Sequence, residues 1–122
     1  MDMTNMAVAM VKEAKPQSID GVLYTNYYNS GVLFFNLDYI RQFNLGEKMI
    51  DKINGPLLNL PDEDVVNFVC KDHIKELDPK YNSAWCTQKV ENPIISHYVW
   101  YEKLWQHKDS EEWKKYYVER LN

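Results

Sequence analysis

The chain has 122 residues, 45% of them hydrophobic and 26% charged, which suits one globular domain and excludes a disordered or fibrous chain. Fourteen Lys and Arg against eighteen Asp and Glu give a formal net charge of -4 with no basic run, so nothing in the composition fits a nucleic-acid backbone. Cys70 and Cys86 form no Cys-x-x-Cys pair, no apolar stretch approaches the roughly 18 residues of a transmembrane helix, and Met1–Asn5 lacks a basic leader, so a cytoplasmic chain with reduced cysteines is expected.

In chain order, the short apolar run Met6–Val11 reads as a buried strand. Lys12–Asn29 is polar, contains Pro16 and Gly21 and reads as a long loop with at most one helical turn. Gly31–Leu37, rich in branched and aromatic residues and led in by the turn-forming Asn29-Ser30-Gly31, reads as a central strand. Asp38–Phe43 and Glu47–Ile53 follow as short helices, the second closed by Asn54-Gly55-Pro56.

Pro61-Asp62-Glu63-Asp64 opens a helix that runs to about His73, because acids in a first turn complement the helix dipole and Val65, Val66, Val69 and Cys70 form a stripe. Leu77–Tyr81 and Ile94–Tyr98 read as short extended pieces. A last helix begins at Asp109 and places Trp113, Tyr116, Tyr117 and Leu121 on one face. With no internal repeat and no low-complexity linker, residues 1–122 read as a single α/β unit.

Several residue clusters admit both a chemical and a structural role. Asn29-Ser30-Gly31 fits either a tight turn or a strand edge where glycine lets a ligand approach the backbone. Asp62, Glu63 and Asp64 fit helix capping, or a carboxylate cluster that positions a sugar hydroxyl or stabilises charge on an anomeric carbon. His97 is a residue type that ligates transition metals, but His73 and His107 stand at no ligand spacing to it. Lys103 fits a phosphate contact or a solvated surface position.

Taken together and in order, Tyr28-Asn29-Ser30-Gly31-Val32-Leu33-Phe34-Phe35-Asn36-Leu37, Pro61-Asp62-Glu63-Asp64-Val65-Val66-Asn67, Lys80-Tyr81-Asn82, and Ile95-Ser96-His97-Tyr98 through Lys103-Leu104-Trp105 resemble family 8 glycosyltransferases. The resemblance implies the C-terminal part of a GT-A fold: a short mixed sheet with flanking helices, without the family's N-terminal nucleotide-binding strands. It implies an enzyme that moves a hexose from a UDP-sugar to a glycan acceptor hydroxyl with retention of configuration, as in lipopolysaccharide biosynthesis.

By the same resemblance His97 is a ligand of a Mn²⁺ held mainly by an Asp-x-Asp pair, Lys103 contacts the donor phosphates, Asn29, Ser30 and Gly31 line the donor sugar, and Asp62 and Glu63 lie near the reacting carbon. Three positions depart from the family pattern: Glu63 for glutamine, Trp100 for glycine and Leu104 for proline. No Asp-x-Asp stands before Asn29, so neither metal binding nor sugar transfer is expected of these residues alone. A complementing N-terminal chain, a homodimer, or a non-catalytic assembly module that reuses the half-fold are the alternatives.

Overall fold

Ala7, Val8, Ala9, Met10 and Val11 are at most 1% exposed, and such a run is stable only in a strand covered on both faces and paired on both edges. It forms the middle strand β1 (Val8–Lys12) of a three-stranded mixed sheet. On one side lies β4 (Tyr28–Phe35), antiparallel, with Val8 opposite Phe35 and Val11 opposite Asn29. On the other lies β5 (Ile74–Glu76), parallel, with Val8 opposite Ile74. The computed structural model describes residues 1–99 and 111–116, without side-chain detail at 112, 113 and 116.

The central position expected for Gly31–Leu37 therefore belongs to β1. Among the described residues β4 is an edge strand, and its apolar sequence misleads because Leu33 and Phe34 are 36% and 54% exposed. β4 also starts earlier than expected, at Tyr28, so Asn29-Ser30-Gly31 is extended strand and not a turn. Its pairing with β1 is irregular between Ala9 and Val11, and that irregularity frees the Ser30 region from the ladder.

The expected loop over Lys12–Asn29 contains a hairpin, β2 (Gln17–Ile19) and β3 (Val22–Tyr24). Asp20 and Gly21 join them with φ of 50° and 78°, the left-handed geometry that an Asp-Gly pair supplies to two-residue turns.

Helix α1 (Leu37–Gln42) starts where the Asn36 side chain accepts from the Tyr39 N–H at 3.3 Å. α2 (Leu45–Ile53) and α3 (Pro61–Val69) pack on one another and on the sheet, burying Leu45, Leu58, Val65, Val66 and Cys70 with Val8, Met10 and Tyr27. Full burial of one such aliphatic side chain contributes about 1.5–3 kcal/mol. α3 is shorter than the helix expected to His73, because the chain reverses through Asp72 (φ 66°) into β5.

Where Leu77–Tyr81 was expected to be extended, Pro79–Tyr81 is a single 3-10 turn, opened by the Asp78 carboxylate accepting from the Lys80 N–H at 2.9 Å. Ile94–Tyr98 pairs through one parallel bridge, Ser96 to Ser83. The last described element, α4 (Glu111–Tyr116), lies within the helix expected from Asp109; of the stripe expected along it, Tyr117 and Leu121 lie outside the described residues and the side chains of Trp113 and Tyr116 are not described. No helix among the described residues is long and apolar enough to cross a membrane.

Candidate functional site

The freed stretch of β4 is held by the first turns of α3. Ser30 donates its N–H to Glu63 Oε1 at 2.7 Å and its Oγ–H to Asp62 Oδ2 at 2.7 Å. Two positions earlier along the chain, Asn67 takes both backbone groups of Tyr28, accepting from its N–H and donating to its carbonyl at 2.8 Å each. Tyr27 Oη donates to Asp64 Oδ1 at 2.5 Å, while Asp64 Oδ2 accepts from the Leu60 N–H at 3.1 Å. The N-cap, Leu60, has no side-chain cap bond, and of the three acids Glu63 gives the Ser30 N–H an acceptor that the ladder does not, Asp62 takes the Ser30 hydroxyl, and Asp64 ties the Tyr27 hydroxyl to the Leu60 N–H. Burial first, then the bond to Asp64, holds the Tyr27 hydroxyl far above its ordinary titration range.

A second set of bonds crosses from β4 to the loop carrying His97. Asn29 Oδ1 accepts from the Gly31 N–H at 2.9 Å and from Asn82 Nδ2 at 2.8 Å, while Asn29 Nδ2 donates to Glu13 Oε1 at 3.2 Å and to Cys86 Sγ at 3.5 Å. Asn82 Oδ1 then faces His97 Nδ1 at 2.9 Å. Because that Asn82 oxygen is an acceptor only, the hydrogen bond puts the proton on Nδ1, and in the neutral ring the lone pair is on Nε2.

Gly31 is required by this arrangement. A β-carbon built there would stand 2.0 Å from His97 Cε1 and 2.2 Å from Nδ1. The group that comes close to the glycine is the chain's own imidazole, where the sequence suggested a ligand.

These residues line one cleft of about 460 Å³, a size within the roughly 300–1,000 Å³ of small-molecule sites. Asn29, Ser30, Gly31, Asp62, Glu63 and His97 all face it, so six of the seven expected site residues converge from three separate segments. Lys103, like the departures Trp100 and Leu104, lies outside the described residues. Glu13, Asn82 and Cys86 belong to the same construction without having been singled out for a role. The available signal for Glu13 was its place at the C-terminal end of a buried strand, where α/β sheets present ligand-binding groups.

The electrostatics are those of a partly desolvated acidic wall. Burial raises the Glu63 carboxyl to about 8, reinforced by a hydrogen bond to Glu13 and opposed by the Ser30 N–H. Burial likewise lifts the Cys86 thiol to about 11, with the Glu13 and Glu63 charges adding to it, so Cys86 is no nucleophile at neutral pH. Among the described residues no three His, Cys, Asp or Glu side chains gather as a metal would need. His97 can offer one nitrogen, and a closed site calls for carboxylates from outside the described residues.

Comparison with known proteins gives a consistent picture. The family model described as "Glycosyl transferase family 8" matches residues 1–109. A Haemophilus influenzae protein carrying a glycosyltransferase name is 27% identical, the match taking in 90% of this chain and 39% of that protein. General stress protein A of Bacillus subtilis is 30% identical over 65% of this chain and 35% of its own length. Lipopolysaccharide 1,2-glucosyltransferase of Escherichia coli is 35% identical over 49% of this chain and 19% of its own. Among solved structures, the apo WbbM bifunctional glycosyltransferase superposes on 67% of the chain and 19% of its own, with a TM-score of 0.58 at 16% identity, a likeness of fold. The chain therefore spans less than two fifths of the length of each of these proteins.

Proposed function

The chain belongs to glycosyltransferase family 8, and on that premise we propose that its cleft seats the hexose of a UDP-sugar donor, as one part of an enzyme that transfers the sugar to an acceptor hydroxyl with retention of configuration. The observation that carries this reading is convergence: Asn29-Ser30-Gly31, Asp62-Glu63 and His97, far apart in sequence, line one cleft of ligand size. Ser30 Oγ and Asp62 form a donor–acceptor pair at its wall that suits sugar hydroxyls. Glu63 and Asn29 hold that wall in place.

The resemblance implies Mn²⁺ beside His97, where it would neutralise the departing diphosphate. The described residues supply one nitrogen and no closing carboxylate set, so they do not by themselves fit the metal. Lys103 is assigned to the donor phosphates on the resemblance alone. Since the chain spans less than two fifths of the relatives it matches, these 122 residues alone are expected to be inactive.

The test is amide NMR of the chain titrated with UDP-glucose and MnCl₂, paired with calorimetry. Weak binding, with shifts confined to residues 29–31, 62–63 and 97, is the expected result. Shifts confined to another face, or no shifts at all, would overturn the placement of the sugar. A second reading, a non-catalytic assembly module, is favoured by exposed Leu33 and Phe34 on edge strand β4. Sedimentation separates its self-pairing form: a dimer supports it and a strict monomer removes it.

A further inference from the structure

A chain of hydrogen bonds runs from Gly31 through Asn29 and Asn82 to His97, and its direction is fixed at the glycine end. The Gly31 backbone N–H can only donate, so the Asn29 atom that meets it at 2.9 Å is the carbonyl oxygen, Oδ1. That oxygen also faces the Asn82 side chain at 2.8 Å, where only Nδ2 can supply a hydrogen. Asn82 Oδ1 is then the atom turned to His97 Nδ1, 2.9 Å away, and the ring must donate. The other half of the Asn29 amide agrees, since Nδ2 faces the Glu13 carboxylate and the Cys86 sulfur. Asn29 is 4% exposed and Asn82 0%, so reversing either amide would set like atoms against each other in a buried site. The Asn82 backbone is pinned as well: its N–H donates to the Pro79 carbonyl at 3.0 Å, and its carbonyl accepts from Thr87 Oγ1 at 2.6 Å.

We propose that Asn82 is a positioning residue of this cleft: its side-chain oxygen holds the His97 ring over Gly31 in a single tautomer, with the hydrogen on Nδ1 and the electron pair on Nε2. Which ring nitrogen carries the hydrogen is set by the bond that the other partner offers it. An imidazole side chain in water favours the opposite tautomer, with hydrogen on Nε2, so the selection has to come from the Asn82 oxygen. Gly31 fixes the ring's place at the same time, because its α-carbon lies against the Cε1–Nδ1 edge where a β-carbon would have no room. His97 lines the cleft, and in this tautomer it meets a ligand there as an acceptor, the form to which a sugar hydroxyl can donate. That use rests on the reading of the cleft given above; the tautomer does not. Asn29 gains a task apart from the sugar, since both ends of its amide bond within the protein.

The experiment reads the ring nitrogens of the ¹⁵N-labelled 122-residue chain by long-range ¹H–¹⁵N correlation, without any sugar, at about pH 8.5, above the ordinary imidazole range. His97→Gln assigns its signals among the three histidines. His97 should show a protonated Nδ1 and a bare Nε2, and hydrogen on Nε2 in the parent overturns the proposal. In Asn82→Ala the hydrogen should move to Nε2 in most molecules, whereas Asn82→Asp, which keeps an acceptor there, should leave it on Nδ1. An Asn82 that merely supports its loop would lower stability in Asn82→Ala and leave the tautomer in place, which overturns the proposal. If neither variant folds, the parent decides: its Nδ1 hydrogen should show a nuclear Overhauser contact to the Asn82 amide hydrogens, and absence of that contact overturns the proposal. Failure of UDP-glucose to shift the cleft would count against the sugar site alone.

Discussion

Gly31 and His97 occupy one space: a β-carbon on the glycine would lie 2.0 Å from the imidazole Cε1, closer than any real contact. The imidazole can therefore keep its bond to Asn82 only while residue 31 has no side chain. Gly31→Ala should cost about 1–3 kcal/mol in urea denaturation, the usual range for overpacking. His97→Ala in the same background should recover most of that loss. Independent, additive costs would show that the two residues do not compete.

Asn67 is 1% exposed and spends its amide on Tyr28 and on the Glu63 carbonyl. Removing it leaves both backbone groups of Tyr28 without those partners. Asn67→Ala should destabilise the fold by about 2–4 kcal/mol, since each buried unsatisfied group costs about 1–3 kcal/mol. Hydrogen exchange at Tyr28 should rise with it.

Stability should fall as pH rises from about 5 to 9. Glu63 has its proton affinity raised on folding, from the ordinary 4.5 to about 8, so through that window the native state keeps a proton that the unfolded chain has released. The stabilisation is fully present below the lower value and lost as pH passes the upper one. A melting-temperature decline of roughly 5 °C or more is expected, given about 2–8 °C per kcal/mol for domains of this size class. Glu63→Gln should flatten the profile.

Cys86 lines the cleft, but its thiol is pushed up to about 11 from 9.0 by burial and the nearby carboxylates. Alkylation by iodoacetamide at pH 7.5 should be about 100-fold slower than for an unperturbed thiol, in line with the lower thiolate fraction. Mass spectrometry over time checks this, and urea should abolish the protection.

Much of the site is legible from residue order, because each motif is a local string. What escaped sequence reading was partnership. Asp62 and Glu63 looked like helix caps, a role that their place in a first turn would satisfy, and only the packing of α3 against β4 reveals that they serve Ser30. The Asp20-Gly21 hairpin was readable in principle, since Asp-Gly is a strong two-residue turn signal, but the polar residues around it gave no strand alternation. Phe34 sits on an edge strand, against the reading of β4 as central, since hydrophobicity reports affinity for a partner and not which strand has one.

Residue order is enough for the α/β class, the buried β1, the position of α3 and, through the ordered motifs, the family. These depend on residue type and spacing along a few turns or one strand, where backbone geometry is local. Only the three-dimensional packing brings Glu13 into the cleft, sets His97 over Gly31, and buries Glu63 so that its carboxyl is pushed up. Each of these follows from groups far apart in the chain sharing one desolvated volume, where charge and hydrogen bonding depend on neighbours that spacing does not encode.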